Sequence, residues 1–341
     1  MGKTLRRIGF TYQAFLIWLV VSTYLCSHVY AVDFSIAVET DKPIYGLGEA
    51  VNAEGSLTLD EIPIPNGLVA LEVNATNEII AYRTLNTGTD PPSTPGVHII
   101  NATICDGSGN PLTSVYRDGQ TMYYIRIYFN NSRIVPIRAL ITLTIFDSNN
   151  HPIHTQTYSS GTIDFESNWT YVWMSPWTIP EDAELGTATV YANAYTDYPK
   201  DNGTPHCPEK SSTFSINLRG AASSSSQTGE ATLQAEGSFN LTFRIKKFGG
   251  RIGNYTVYAS SFILVNNITA YIAFDSATFE AIVQGDLNHD NHVDIFDIVI
   301  IGVAFNSSPP TDPRADVNQD NIVDIFDLVA VALHYGEWGI P

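Results

Sequence analysis

Basic residues and cysteines are scarce in this 341-residue sequence. Lys and Arg together number 17 against 35 Asp and Glu, which leaves a net charge of −18 at pH 7. A surface of this sign repels the phosphate backbone, so the composition argues against a nucleic-acid partner. Only three cysteines occur, and one of them lies in the N-terminal apolar run, so the rest of the chain can form at most one intramolecular disulfide.

Catalytic signatures and long apolar runs are also missing. The sequence contains no nucleophile elbow, no phosphate loop and no metal-binding cluster of histidines. Isolated carboxylates such as Asp164 and Glu166 do not define a glycosidase pair by their spacing. We therefore expect a protein that is not an enzyme. Beyond the N terminus no run approaches the length of a membrane span, so we expect none in the mature chain.

The N terminus has the pattern of an export signal. Lys3, Arg6 and Arg7 precede an apolar run at residues 14–26, and Val29-Tyr30-Ala31 forms a small-x-small cleavage site. This pattern predicts a signal peptide over residues 1–31 and a secreted or cell-surface protein. Cleavage would change the net charge from −18 to −21, because the segment carries three basic residues and no acid. Retention as an uncleaved anchor is the alternative.

Two cysteines, Cys105 and Cys207, remain after cleavage. An even pair in an exported chain predicts one disulfide, and two buried thiols are the alternative. The exported chain also contains many Asn-x-Ser/Thr sequons, which fit a glycosylated outer surface. The sequons begin at Asn74, Asn101, Asn130, Asn168, Asn202, Asn240, Asn254, Asn267 and Asn306.

Residues 32–283 alternate apolar and polar side chains in short runs that are separated by Gly, Pro, Asn and Asp. Clear runs occupy residues 68–73, 123–129, 139–146 and 188–195. A period of two is typical of half-buried strands, and no segment in this part has a helical period. The pattern predicts a mainly β fold built from sandwiches.

Residues 38–51 (VETDKPIYGLGEAV) form a strand, a turn containing Pro and Gly, and a second strand, and they resemble the opening of a macroglobulin-like or immunoglobulin-like domain. Residues 237–245, 252–259 and 277–283 resemble its closing strands. Each part is too short for the roughly 100 residues of a sandwich. We therefore predict one discontinuous sandwich from residues 32–97 and 229–283, an inserted sandwich at 98–218 and a Ser-rich linker at 219–228. Three small tandem domains are the alternative.

A twelve-residue pattern occurs twice near the C terminus. Residues 286–297 (DLNHDNHVDIFD) and 316–327 (DVNQDNIVDIFD) place oxygen-bearing side chains at loop positions 1, 3, 5, 9 and 12. Together with the carbonyl oxygen of position 7, such a set suits calcium, which accepts many oxygen ligands in a flexible geometry. Zinc would require His or Cys ligands, and His289 and His292 occupy outward or backbone-donor positions. The pattern predicts two bound calcium ions.

Residues 285–341 resemble the dockerin family, in which each loop leads into one helix and the module binds a cohesin domain. The resemblance implies a small α-helical, calcium-binding domain and a protein partner of the cohesin type. Matched position by position, it assigns the calcium ligands to Asp286, Asn288, Asp290, the carbonyl of His292, Asp294 and Asp297, and to Asp316, Asn318, Asp320, the carbonyl of Ile322, Asp324 and Asp327.

The same resemblance assigns partner recognition to loop positions 10 and 11, which are Ile295 and Phe296 in the first repeat and Ile325 and Phe326 in the second. The helices that follow are apolar on nearly all faces, so packing against each other leaves some apolar surface over. We expect that surface to bind a partner or to pack against the protein's own sandwich.

Trp169, Tyr171 and Trp173 alternate along one predicted strand. Such a row suits stacking on an extracellular glycan, although aromatic residues at this spacing also fill cores. The leading functional hypothesis is a non-catalytic extracellular component for assembly or adhesion that docks through the C-terminal module. A carbohydrate-binding accessory subunit of a polysaccharide-degrading complex is the second hypothesis, and an enzyme of unrecognised type is the third.

Overall fold

The computed structural model describes residues 32–76, 78–88, 96–159, 161–167, 169–219, 235–265 and 268–341. The predicted signal peptide at 1–31 and residues 220–228 of the predicted linker lie outside the described residues. The described part is mainly β, which confirms the predicted fold class. The strands are β1 Phe34–Thr40, β2 Ile44–Gly46, β3 Ala50–Leu59, β4 Ile62–Pro63, β5 Leu68–Ala75, β6 Glu78–Asn86, β7 Val97–Cys105, β8 Ser114–Tyr116, β9 Met122–Asn131, β10 Ile137–Phe146, β11 Pro152–Thr157, β12 Ile163–Phe165, β13 Tyr171–Trp173, β14 Trp177–Thr178, β15 Gly186–Tyr195, β16 Lys210–Asn217, β17 Ser238–Arg244, β18 Phe248–Arg251, β19 Gly253–Val265, β20 Ile268–Ile282 and β21 Trp338–Ile340.

The alternation of side chains decides which face of each strand is buried. In β9 the buried apolar residues are Tyr123, Ile125, Ile127 and Phe129, and the residues between them lie on the opposite face. β10 departs from this rule, because residues 139–146 are buried on both faces. A strand that is covered on both sides reads as a continuous apolar run rather than an alternating one.

Strands from both ends of the β region occupy the same two sheets. The first sheet has the order β1-β3-β17, with β4 paired to β3, and the second has the order β2-β20-β19-β5-β6. β17 pairs with β3 from Ser238↔Ser56 to Arg244↔Ala50, and β19 pairs antiparallel with β5. Leu57, Leu71, Phe239 and Val257 belong to one buried cluster between these sheets. The exact domain bounds remain predictions.

The middle of the chain forms a second pair of sheets. One has the order β11-β10-β15-β16-β8, with β12 also paired to β10, and the other has β9 between β13 and β14, with β7 also paired to β9. Ile125, Ile141, Val190 and Phe214 lie in the apolar cluster between the two sheets. This cluster is distinct from the one that β3, β5, β17 and β19 enclose.

A buried interface joins the two β units. The Arg83 guanidinium on β6 donates hydrogen bonds to both carboxylate oxygens of Glu209, at 2.9 and 2.7 Å. The Tyr195 hydroxyl donates to the Arg83 carbonyl at 2.9 Å, and the Tyr82 amide donates to Thr144 Oγ1 at 2.8 Å. A bidentate pair in this position is geometrically specific, so it fixes how β6 sits on the second unit.

The predicted disulfide between Cys105 and Cys207 is wrong in this structure, where both residues are buried free thiols. Cys207 Sγ accepts the Ile99 amide hydrogen at 3.4 Å, near the start of β7, whereas Cys105 ends that strand. Six residues of strand span roughly 20 Å, far more than the distance a disulfide bridges. Burial raises the pKa of the Cys207 thiol to about 11.

The C-terminal tail contains two helices, α1 Ile295–Ala304 and α2 Ile325–Ala332, joined by a segment with a single 3-10 turn at Pro313–Ala315. Ile301 of α1 and Val331 of α2 are buried in the same cluster as the first β unit. β21 then pairs in parallel with β18, which attaches the end of the chain to that unit. No helix among the described residues combines the length and apolar character needed to cross a bilayer.

Candidate metal centre and docking surface

The first acidic loop, residues 286–297, is closed by hydrogen bonds from its own backbone. Asp286 accepts the amide hydrogens of Asp290 at 3.2 Å and Asn291 at 2.8 Å. Asp290 accepts the amide hydrogen of His292 at 3.0 Å, and the Asn288 side-chain amide donates to Asp290 at 2.9 Å. The polar side chains at positions 1, 3 and 5 therefore lie along one short turn, as the sequence predicts.

The second loop, residues 316–327, repeats these contacts. Asp316 accepts the amide hydrogens of Asp320 at 3.1 Å and Asn321 at 3.0 Å. Asp320 accepts that of Ile322 at 2.9 Å, and the Asn318 side-chain amide donates to Asp320 at 3.1 Å. The two twelve-residue sequences thus fold to the same local structure in two different surroundings.

Positive backbone φ angles curl both loops. Position 6 has φ of 71° at Asn291 and 66° at Asn321, and position 4 has φ of 62° at both His289 and Gln319. Asn tolerates the left-handed region better than most residues with a side chain, which explains its use where a calcium loop usually has Gly. Positive φ at position 6 fits the calcium-loop pattern, whereas the positive φ at position 4 was not anticipated.

The carboxylate at position 12 is buried in each loop and reaches back over the turn. Asp297 accepts amide hydrogens from Leu287, Asn288 and Asp294 at 2.7, 3.2 and 2.8 Å. Asp327 accepts from Val317, Asn318 and Asp324 at 2.7, 3.1 and 2.8 Å. Each bond to position 9 also forms part of a capping box, which starts α1 at Asp294 and α2 at Asp324.

Charge balance separates these carboxylates from the rest of the described chain. Residues 285–341 contain ten acids and a single basic side chain apart from histidine, Arg314, which pairs with Asp312 outside both loops at 2.7 Å. No ion pair in the described ranges neutralises a carboxylate of either loop. A buried carboxylate without a cation is costly, and amide hydrogen bonds offset only part of that cost.

The donors available at each loop are carboxylate, amide and carbonyl oxygens, and this donor chemistry fits a hard cation such as calcium. In the described part of the chain, however, no three His, Cys, Asp or Glu side chains are grouped closely enough to form a metal cluster. Within each loop the predicted ligand side chains lie along the same turn. Their oxygens accept amide hydrogens from the backbone of that loop. The side-chain oxygens of Asn288 and Asn318, which are the atoms that a calcium ion would bind, accept the amide hydrogens of Asp290 and Asp320.

The two helices and the residues just after them expose matching apolar side chains, here called the docking surface. It consists of Ile295, Phe296, Val299, Val303 and Phe305 in the first repeat and Ile325, Phe326, Val329, Leu333 and Tyr335 in the second. Each residue in the first set lies thirty positions before its counterpart. Phe296 is 63% exposed and Phe326 67%, so the predicted partner residues at positions 10 and 11 are open to solvent.

The first loop is tied to the first β unit through the end of the chain, residues 336–341. The Gly339 amide donates to the Asn291 carbonyl at 3.0 Å, and the His292 ring stacks on Trp338 at 6.2 Å. Lys247, next to β18, pairs with the buried Glu337 at 3.0 Å. The sequence predicted His289 and His292 to face solvent; both are exposed, and the stacking of His292 on Trp338 was not anticipated.

The predicted aromatic row divides in the structure. Trp169 packs near the core against Phe165, with ring centroids 5.1 Å apart, whereas Tyr171 and Trp173 face outward from β13. Sequence reasoning missed their neighbours on β9, among them Arg126, whose guanidinium lies 5.1 Å from the Trp173 ring centre. The alternation in β9 could have identified these outward residues, but the pairing of β9 with β13 could not be read from it.

No protein-family model matches the sequence, and no curated protein matches it. Among solved structures, the C-terminal domain of Wzt shares 11% identity and a TM-score of 0.29, covering 39% of this chain and 86% of that one. Trypsin-activated alpha-2-macroglobulin from Escherichia coli shares 9% identity and a TM-score of 0.24, covering 72% of this chain and 24% of that one. Beta-glucuronidase 2 from Bacteroides uniformis shares 10% identity and a TM-score of 0.25, covering 49% and 26%. Similarities this slight carry no argument about function.

Proposed function

We propose that this protein is a secreted or cell-surface, non-catalytic component of an extracellular assembly or adhesion structure, and that it docks a protein partner through residues 285–341. The β units serve as the body that carries the docking module. Calcium in the two acidic loops fixes the positions of α1 and α2, and therefore the shape of the docking surface. A partner of the cohesin type fits the dockerin-like sequence of this segment.

The exposed, repeated docking surface is the observation that carries the proposal. Surface apolar residues that occur singly need no explanation, but the same five positions are exposed in both repeats and form a candidate interface. Phe296 and Phe326 lie directly beside Asp297 and Asp327, which start the helices and close the loops. A conformational change of either loop on cation binding therefore reaches an aromatic side chain of the docking surface at the neighbouring residue.

Electrostatics supports the coupling to calcium. Each loop contains four carboxylates, and the one Lys or Arg side chain of the described tail, Arg314, pairs with Asp312 instead. Two divalent ions would remove about half of that charge and would favour compaction of a small domain that has a limited core. Calcium binding and correct presentation of the docking surface are thus expected to occur together.

The test is capture of partners by the full mature chain immobilised in calcium or in chelator, with the eluted proteins identified by mass spectrometry. The matched variant is Phe296→Ala with Phe326→Ala, which removes two exposed rings and leaves the loops intact. The proposal predicts one specific partner that is retained only in calcium and lost in the double variant. Equal retention in chelator, or retention by the double variant, would contradict it.

A further inference from the structure

The outward side of the sheet formed by β7, β9 and β13 carries a cluster of four aromatic rings around one arginine, here called the aromatic face. It consists of Tyr124, Arg126, Tyr128, Tyr171 and Trp173. Register places Tyr171 opposite Tyr128 and Trp173 opposite Arg126. The opposite side of β9 packs into the core, so the two sides of this strand have separate roles.

The rings form two pairs on either side of the arginine. Tyr124 and Trp173 meet edge to face with ring centroids 6.3 Å apart, and Tyr128 and Tyr171 lie 5.9 Å apart. Tyr171 is 44% exposed and Trp173 is 38% exposed. These large rings are held on a sheet and are open to solvent, so they present a surface whose conformation is already fixed. Because the protein need not become ordered on binding, a stacking ligand loses little binding free energy to that process.

Arg126 gives the aromatic face a local positive charge in a chain whose net charge is −18, so any attraction of an anionic ligand is confined to this face. Its guanidinium carbon lies 4.8 Å from the Tyr128 ring centre, 5.1 Å from that of Trp173 and 6.0 Å from that of Tyr171. Its Nε is buried and donates no hydrogen bond, and no ion pair in the described ranges includes Arg126. Four of the other eight arginines in the described ranges pair with a carboxylate, namely Arg83, Arg219, Arg251 and Arg314. An arginine held by rings alone keeps its planar fork available for an external carboxylate.

We propose that the aromatic face binds an acidic polysaccharide that contains uronate residues. The pyranose ring supplies a flat apolar face for stacking on Trp173 and Tyr171, and the uronate carboxylate pairs with Arg126. Polar side chains on the adjacent strand complete the surface, because Asn101 lies opposite Tyr128 and Thr103 opposite Arg126. This site is separate from the docking surface, since it lies on the second β unit.

Asn101 also begins an Asn-Ala-Thr sequon, which provides a competing occupant. A glycan attached to Asn101 would lie beside Tyr128 and would cover the aromatic face from within the molecule. The variant Asn101→Gln removes that attachment point and keeps an amide at the position. Comparing it with the parent chain distinguishes an external polysaccharide from the protein's own glycan.

The experiment measures binding of the full mature chain to immobilised polygalacturonate by biolayer interferometry, with methyl-esterified pectin and polyglutamate as comparison probes. Trp173→Ala and Arg126→Gln are the test variants. Tyr271→Ala is the matched control, because Tyr271 is a 41% exposed ring on β20, in the other β unit. Circular dichroism of every variant establishes that the β fold is retained.

We expect Trp173→Ala to weaken binding to polygalacturonate roughly tenfold, the scale of losing one ring-stacking contact. Arg126→Gln should abolish the preference for polygalacturonate over its methyl ester, and Arg126→Lys should restore part of it. Tyr271→Ala should bind as the parent does. Absence of binding to polygalacturonate, equal binding to polyglutamate, or binding that appears only in Asn101→Gln would each overturn the proposal.

Discussion

The two acidic loops have nearly the same internal hydrogen bonds but different neighbours. In the first loop, Val293 donates its amide hydrogen to the Glu337 carbonyl at 2.9 Å and accepts that of Gly336 at 2.8 Å. In the second, Val323 donates to the Ser307 carbonyl at 3.1 Å and accepts the amide hydrogen of Asn306 at 2.7 Å. The first loop thus contacts the end of the chain, and the second contacts the segment after α1.

The local sequence therefore determines the hydrogen bonds within each loop, whereas tertiary structure determines which segment each loop contacts. The end of the chain continues into β21, which pairs with β18, so the first loop is held against the first β unit. The segment that contacts the second loop leads only to the 3-10 turn at Pro313–Ala315. We infer that ion binding to the first loop is coupled to attachment of the tail, whereas binding to the second affects mainly α2.

The largest expected effects come from the buried carboxylates Asp297 and Asp327. Replacing either with Ala leaves three amide donors without their acceptor, and we expect a loss of about 3 kcal/mol in the free energy of unfolding of the tail. The loss should extend to β21 only for Asp297→Ala. Hydrogen exchange of the amides in residues 336–340, measured in chelator, checks this. Equal exchange in the two variants would show that the loops do not differ in their coupling.

Removal of the first ligand of one loop should have the next largest effect. We expect Asp286→Ala and Asp316→Ala each to eliminate one bound calcium, and each to lose about 2.7 kcal/mol of stabilisation at an ion concentration 100 times the Kd. Only Asp286→Ala should remove calcium protection of the Lys247 region. Limited proteolysis in calcium, followed by mass spectrometry of the fragments, distinguishes them. Identical fragment patterns for the two variants would show that the two loops do not differ in their coupling to the first β unit.

Trp338→Ala tests the coupling between the first loop and the end of the chain by changing the end of the chain. Trp338 stacks on His292 and also lies against Gly249, where an added Cβ would come within 2.7 Å of its ring. We expect its loss to cost about 1–2 kcal/mol and to weaken calcium binding at the first loop severalfold, without changing the second. Tyr335→Ala is the control, since that ring is exposed on the docking surface. An equal change at both loops, measured by calorimetric titration, would contradict the expectation.

The smallest effect on stability is expected from Phe296→Ala and Phe326→Ala. Both rings are exposed, so each substitution should change the free energy of unfolding by less than about 0.5 kcal/mol. Thermal unfolding followed by circular dichroism checks this value for each variant. A larger loss for Phe296→Ala alone would show that this ring also packs within the protein and would sharpen the difference between the repeats.

The sequence predicts those features that depend on neighbouring residues. Alternation locates strands such as β9, and the spacing of Asp, Asn and Asp predicts a tight loop, which the structure shows in both repeats. These features form from contacts a few residues apart, so the pattern carries the necessary information. The start of α1 at Asp294 follows for the same reason, because a capping box requires only four residues.

Features that depend on the meeting of distant strands were not predicted. The disulfide failed because register places Cys207 beside Ile99 rather than beside Cys105. The pairing of β21 with β18 joins two short segments that contain Gly and lack a recognisable strand pattern. Arg126 was missed because its partners Tyr171 and Trp173 come from a strand more than forty residues away.

Calcium binding by the two loops is tested most directly by counting the calcium ions bound to the full mature chain. The count is obtained by equilibrium dialysis and by native mass spectrometry. We predict two bound ions for the parent chain, one for Asp286→Ala, one for Asp316→Ala and none for the double variant. A parent chain that retains no more calcium than the double variant would contradict this prediction.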